Sequence, residues 1–157
     1  MTFDANNMLI NVAASGEVSV RDPDSGELVG EPFLTPSLVD TRVVAFDTTT
    51  RLIAAGSEDY VAIVDRATGQ TLLSVENLGT ASALSFSPDT TLLAVGNRDG
   101  AVYLIATDTG EVLAEVTDTD DTISGLAFSQ DGRLLAVAAG IPISSNTITL
   151  YSIDLPD

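Results

Sequence analysis

Phenylalanine recurs along this chain at an almost constant interval, and that recurrence constrains the fold more than any other feature. Phe3, Phe46, Phe86 and Phe128 are separated by 43, 40 and 42 residues. Each precedes a polar turn and then a short apolar strand, beginning at Leu9-Ile10, Leu52-Ile53, Leu92-Leu93 and Leu134-Leu135. The same three intervals separate those strands. Self-similarity with a period of about 40–45 residues marks a chain of repeated supersecondary units, none of which can bury its apolar face alone.

Inside each period the pattern predicts four short strands. An alternating stretch ends at the Phe, as over 42–46, 82–86 and 123–128. The turns FDTTTR, FSPDTT and FSQDGR follow, where Asp, Pro and Gly suit a reversal. A nearly continuous apolar strand comes next and reads as buried on both faces. A tight turn then leads to an alternating strand carrying Val18/Val20, Val61/Ile63, Val102/Leu104 or Ile148/Leu150. A second turn reaches glycine at Gly26, Gly69 and Gly110 before an outer strand. No window has the 3.6-residue period of an amphipathic helix. The expected fold is all-β: a β-propeller of four-stranded antiparallel blades, about four in the chain, a half-ring. Residues 1–157 form a single propeller region with approximate repeats 1–37, 38–79, 80–120 and 121–157. Phe46, Phe86 and Phe128 are expected to be buried at equivalent positions.

The segments FSPD, LLAVG, RDGAVYL and TDTG of the third repeat resemble those of the WD-repeat family, and the likeness extends over nearly the whole chain. The resemblance implies a non-catalytic scaffold for protein–protein interaction. The chain departs from the family pattern at its signatures. Where the family has Trp, this sequence has Arg21, Val64, Ile105 and Tyr151. The Asp that follows survives as Asp22 and Asp65 but becomes Ala106 and Ser152. No Gly-His pair precedes an inner strand, so the hydrogen-bonded tetrad of a standard blade cannot form, and Asp99 keeps its turn position without a histidine to bond. Apolar packing between sheets must hold these blades together.

Composition removes several chemistries. The chain has no cysteine and no histidine, which excludes disulfides, thiolate nucleophiles, Cys/His zinc sites and His-based triads. It carries 23 acidic residues against six basic ones, all arginine, for a net charge of -17. That field repels phosphate backbones, so neither nucleic acid nor an anionic membrane is expected as a partner, and a basic protein, divalent cations or a high-salt environment is favoured. The N-terminus MTFDANNM lacks the basic flank and apolar core of a signal peptide, and the longest apolar run falls short of the roughly 20 residues that span a bilayer. A cytoplasmic location is expected.

RDPDSGE has the look of a calcium loop, but DPDSG, DRATG and ATDTG occupy the same turn in three repeats. Ser57 and Ser82 have no His or Lys to activate them. No catalytic, cofactor-binding or metal residue is assigned, and no cofactor is expected. The alternative function is a hydrolase or lyase using acidic residues and a metal in a propeller channel.

The remaining candidates would share one rim, which reads as a solvated face, a docking surface for a basic partner or a weak cation site. Glu58, Asp59, Arg98 and Asp99 lie in turns between second and third strands, and Asp118, Asp120 and Asp121 lie between one outer strand and the next inner strand. Both loop types emerge on one side of a propeller. The fourth repeat adds AAGIPISSN between its second and third strands, which would place Ile141 and Ile143 on the same side. The first blade is expected to have almost no inner strand and the fourth no outer strand, with end faces as apolar as those of the middle blades. The chain is therefore expected to be part of a larger propeller, or to form a homodimer in which the first blade of each copy packs on the fourth of the other.

Overall fold

The computed structural model describes residues 1–58, 60–117, 119–140 and 147–153, with the backbone alone over 36–38. All the regular structure in these residues is β. Four antiparallel sheets follow one another in sequence. The first contains β1 (Thr2–Phe3), β2 (Leu9–Val12), β3 (Ser15–Arg21) and β4 (Phe33–Val39). The second contains β5 (Val43–Phe46), β6 (Leu52–Gly56), β7 (Tyr60–Asp65) and β8 (Thr71–Glu76). β9 (Ala81–Phe86), β10 (Leu92–Asn97), β11 (Ala101–Ala106) and β12 (Val112–Thr117) make the third, and β13 (Ile123–Phe128), β14 (Leu134–Ala139) and β15 (Thr147–Ser152) the fourth. Within each sheet, spatial order equals chain order, the signature of successive hairpins.

The second and third sheets are apolar on both faces because each is packed on both, whereas the first and fourth are each packed on one. Ile10 and Val18 of the first sheet meet Ile53, Ala55 and Val64 of the second. The opposite face of the second sheet, with Ala54, Val61 and Ile63, meets Phe86, Leu93, Val95 and Ile105 of the third. Ala94, Val102 and Leu104 on the far side of the third sheet meet Ile123, Leu135 and Val137 of the fourth. The inner strands β5, β9 and β13 approach one another closely, and the sheets fan outward from them. This is the arrangement of blades in a β-propeller, here an arc of about four.

Strand register confirms the repeat and adjusts it at one place. Phe46 pairs with Ile53, Phe86 with Leu93 and Phe128 with Leu135. Phe3 pairs with Leu9, so Leu9 corresponds to Ile53 and not to Leu52, because the first turn is one residue shorter. Arg21, Val64, Ile105 and Tyr151 do share one position, opposite Leu9, Ile53, Leu93 and Leu135. Of the repeated phenylalanines Phe86 is buried, Phe46 and Phe128 are half-buried, and Phe3 is exposed, having no preceding sheet to pack on.

The ends differ from the middle. β1 is two residues long, and β15 is the outermost strand of its sheet among the described residues. Val61 and Ile63 are 1% and 0% exposed, and Val102 and Leu104 are 5% and 9%; their counterparts Ile148 and Leu150 stand at 72% and 64%. The free face of the first sheet is less apolar than the sequence reading expected. The one-residue shift puts Leu9, Asn11, Ser19 and Arg21 on it, where the second sheet has Ile53, Ala55, Ala62 and Val64.

Candidate functional site

The propeller has two rims, and the structure gives them different chemistry. One rim carries the turns from first to second strand and from third to fourth. Six carboxylates there are used by the backbone. Asp4 Oδ1 accepts from the amides of Asn6 and Met8, and Asp47 Oδ1 from that of Leu52. Asp22 Oδ1 accepts from Asp24 and Ser25, and Asp65 Oδ1 from Ala67 and Thr68. Asp89 takes the Ser87 hydroxyl at 2.6 Å and the Thr91 amide, and Asp131 repeats this with Ser129 and Arg133. In Asp22, Asp65, Asp89 and Asp131 these bonds favour the charged form. The Ser25 and Thr68 amides hold Asp22 and Asp65 below the usual carboxylate range, and the Ser87 and Ser129 hydroxyls do the same for Asp89 and Asp131. RDPDSGE is thus a turn closed on its own backbone.

The other rim carries the second-to-third turns and the connections between sheets, which lock together in pairs. The amide of Asp40 donates to Ala14 O, Ala81 to Ser57 O and Arg98 to Thr80 O, and the Thr122 hydroxyl donates to Arg98 O at 3.0 Å. Asn97 is buried at the junction: its Nδ2 donates to Leu78 O at 2.9 Å, while its Oδ1 accepts from the amides of Asp99 and Ala101. It ties the turn to the preceding connection.

Of the predicted rim residues, the structure brings Arg98, Asp99, Asp120 and Asp121 together, all exposed, around the Gly100 turn. Glu58 lies on the same rim one sheet back, exposed and paired with Arg42. Asp59, Asp118, Ile141 and Ile143 lie outside the described residues. Unlike the six acids opposite, Asp99, Asp120 and Asp121 close no turn. Sequence reading missed Arg42, which carries no local motif, and Asn97, whose only signal is a polar residue ending an apolar strand. It also missed an open cleft of about 730 Å³ between the first two sheets, lined by Ala14, Asp40, Arg42, Ser57, Glu58 and Tyr60. Among the described residues no three carboxylates converge on a metal position, and no helix is long and apolar enough to cross a membrane.

Four-stranded hairpin sheets packed face to face around their first strands define a β-propeller. The WD40 domain model of anaphase-promoting complex subunit 4 matches residues 44–121, and the WD domain, G-beta repeat model matches residues 110–152. The chain belongs to the WD-repeat family, whose members are generally non-catalytic. Echinoderm microtubule-associated protein-like 2 of Rattus norvegicus is 31% identical over 104 residues, 66% of this chain and 15% of that protein. The Homo sapiens protein of that name is 35% identical over 74 residues, 47% of this chain and 11% of its own length. Echinoderm microtubule-associated protein-like 3 of Homo sapiens is 25% identical over 103 residues, 66% of this chain and 11% of that protein. The chain therefore spans a small part of the curated relatives it matches.

Proposed function

We propose that this chain is a non-catalytic interaction scaffold that receives a basic protein segment on the rim of second-to-third turns and inter-sheet connections. The contrast between the rims carries this reading. Six acids on one rim close turns, with Asp24 and Asp108 exposed beside them, whereas Asp99, Asp120 and Asp121 on the other rim are all exposed and close none. The predicted rim extends through Glu58 and through Asp59, Asp118, Ile141 and Ile143, the last four placed there by the repeat alone. A rim acid is worth little to the fold and much to the encounter with a cationic partner, because exposed charges steer association more than they stabilise. The family model named for a subunit of a multi-protein complex supports the same class of function.

The test is titration with a lysine-rich peptide followed by amide chemical shifts. Shifts should centre on residues 98–100 and 119–122, and Asp99→Asn with Asp121→Asn should weaken binding about three- to tenfold. Shifts spread evenly over both rims would refute the assignment. The arc itself is completed by further blades on its end faces, either those of a longer propeller or those of a second copy in a homodimer. Solution mass separates the two: a stable dimer supports the second copy, and a monomer at high concentration removes it.

A further inference from the structure

The chain contains two Asp-Gly pairs, Asp99-Gly100 and Asp131-Gly132, and the fold treats them differently. Aspartate followed by glycine is prone to cyclise, because glycine has no Cβ to obstruct attack of its amide nitrogen on the preceding side-chain carboxyl. Attack requires the carboxyl and the amide to be released from other bonds. At Asp131 both are held. Its Oδ1 accepts from the Ser129 hydroxyl at 2.6 Å and from the Arg133 amide at 3.1 Å, and the Gly132 amide donates to Ser129 O at 2.9 Å. The Ser129 hydroxyl, and after it the Arg133 amide, also keep that carboxyl in its charged form, which does not cyclise. The turn at Asp99 is closed by another residue. Asn97 Oδ1 accepts from the amides of Asp99 and Ala101 at 3.0 and 2.9 Å, which leaves the Asp99 carboxylate outside the bonding of its own turn. Among the described residues that carboxylate has no donor, and the Gly100 amide, between the two bonded ones, has no acceptor. Asp99 is exposed, so water reaches it.

We propose that Asp99-Gly100 is a site of spontaneous isoaspartate formation, a covalent modification that loosens the junction between the third and fourth sheets. The Gly100 nitrogen bonds to Asp99 Cγ, the Cγ–O bond of the neutral carboxyl breaks, and one water leaves with the amide proton, giving a succinimide. Water then returns at one of the two ring carbonyls. Attack at Cγ restores aspartate. Attack at the former main-chain carbonyl gives isoaspartate, in which the chain runs through Cβ and Cγ and is one carbon longer. Mass and redox state are unchanged, and water is the only co-reactant. The extra carbon falls between the two amides that share Asn97 Oδ1, so the two bonds are no longer made together. It also displaces Gly100, which is packed so closely that a Cβ there would lie 1.9 Å from Thr119 O. The third-sheet turn is thereby released from the connection that leads to the fourth sheet.

This chemistry does not depend on what the rim binds, so either proposal can fail alone. The test incubates the 157-residue chain at physiological temperature and locates isoaspartate by peptide mapping with electron-transfer fragmentation, which distinguishes the β-aspartyl linkage at unchanged mass. In the folded chain isoaspartate should accumulate at Asp99 at least about fivefold faster than at Asp131, and in urea the two rates should converge to within about twofold. Asp99→Glu, which would need a six-membered ring, should keep the charge and abolish the product at that position. Exchange of the Ala101 amide should quicken in step with the modified fraction, because its acceptor is Asn97 Oδ1. A folded-state rate at Asp99 less than about fivefold that at Asp131, a difference that survives in urea, or unchanged exchange at Ala101 would each overturn the proposal.

Discussion

Ile63 and Leu150 occupy the same place in their blades and differ in cover, so truncating each to alanine isolates what inter-blade packing contributes. Ile63 is 0% exposed and packs into the cluster between the second and third sheets; Leu150 is 64% exposed. Both substitutions remove three carbons, which at about 0.8 kcal/mol each gives a transfer loss near 2.4 kcal/mol for a fully buried group. At Ile63 the cavity left between two sheets adds to this, for a total of about 3–4 kcal/mol. At Leu150 only about a third of the surface is covered and no cavity forms, which leaves about 0.8 kcal/mol. The assay is urea unfolding, where a slope of about 1–2 kcal/mol/M turns these losses into midpoint shifts of about 2 M and 0.5 M. Equal shifts would refute the assignment of Leu150 to an uncovered face. A loss below about 1 kcal/mol at Ile63 would refute the register itself.

Three further outcomes are expected. Gly100→Ala should cost more than about 2 kcal/mol, because an added Cβ falls 1.9 Å from Thr119 O at φ +88°; Gly26→Ala, with φ +73° and open space, should cost about 1 kcal/mol, both read from thermal melts. Raising ionic strength to about 0.5 M should raise Tm by screening a net charge of -17, and a fall would mean that ion pairs of the six arginines outweigh the repulsion. Acid should destabilise the fold. Asp22, Asp65, Asp89 and Asp131 are depressed in the folded state, so their contribution is complete above the unfolded value of about 3.9 and is lost as pH falls through the lower folded values. Tm should therefore drop between about pH 4 and pH 2, less steeply in Asp131→Asn, and a Tm that rises over that range would contradict this.

The blades were legible because their signal is redundant. Four phenylalanines, four apolar strands and three turn glycines report one period, and a loss at any one leaves the others to fix it. Register at the first blade was not, because a turn shortened by one residue leaves Leu9-Ile10 looking like Leu52-Ile53 while reversing which side chain faces the neighbour. In a strand a one-residue slip exchanges the two faces, and only hydrogen-bond pairing shows that Asn11 and Arg21 sit on the free one. The rim was legible in part. Turn position predicts which loops meet, and Arg98, Asp99, Asp120 and Asp121 do meet. It does not predict that Glu58 is paired with Arg42, since sixteen residues and a strand hairpin separate them.

Each apolar cluster joins two sheets that are neighbours in sequence, and this determines how the molecule comes apart. An arc of this kind is a linear array with nearest-neighbour coupling, like a stacked repeat protein. In the 157-residue chain taken alone, the end units are each held by one interface and the middle units by two. Opening therefore proceeds inward from the ends as a sequence of partial unfoldings, with the boundary between the second and third sheets persisting longest. A partner that spans several blades along one rim would couple units that are otherwise independent, and would turn graded fraying into a single cooperative transition.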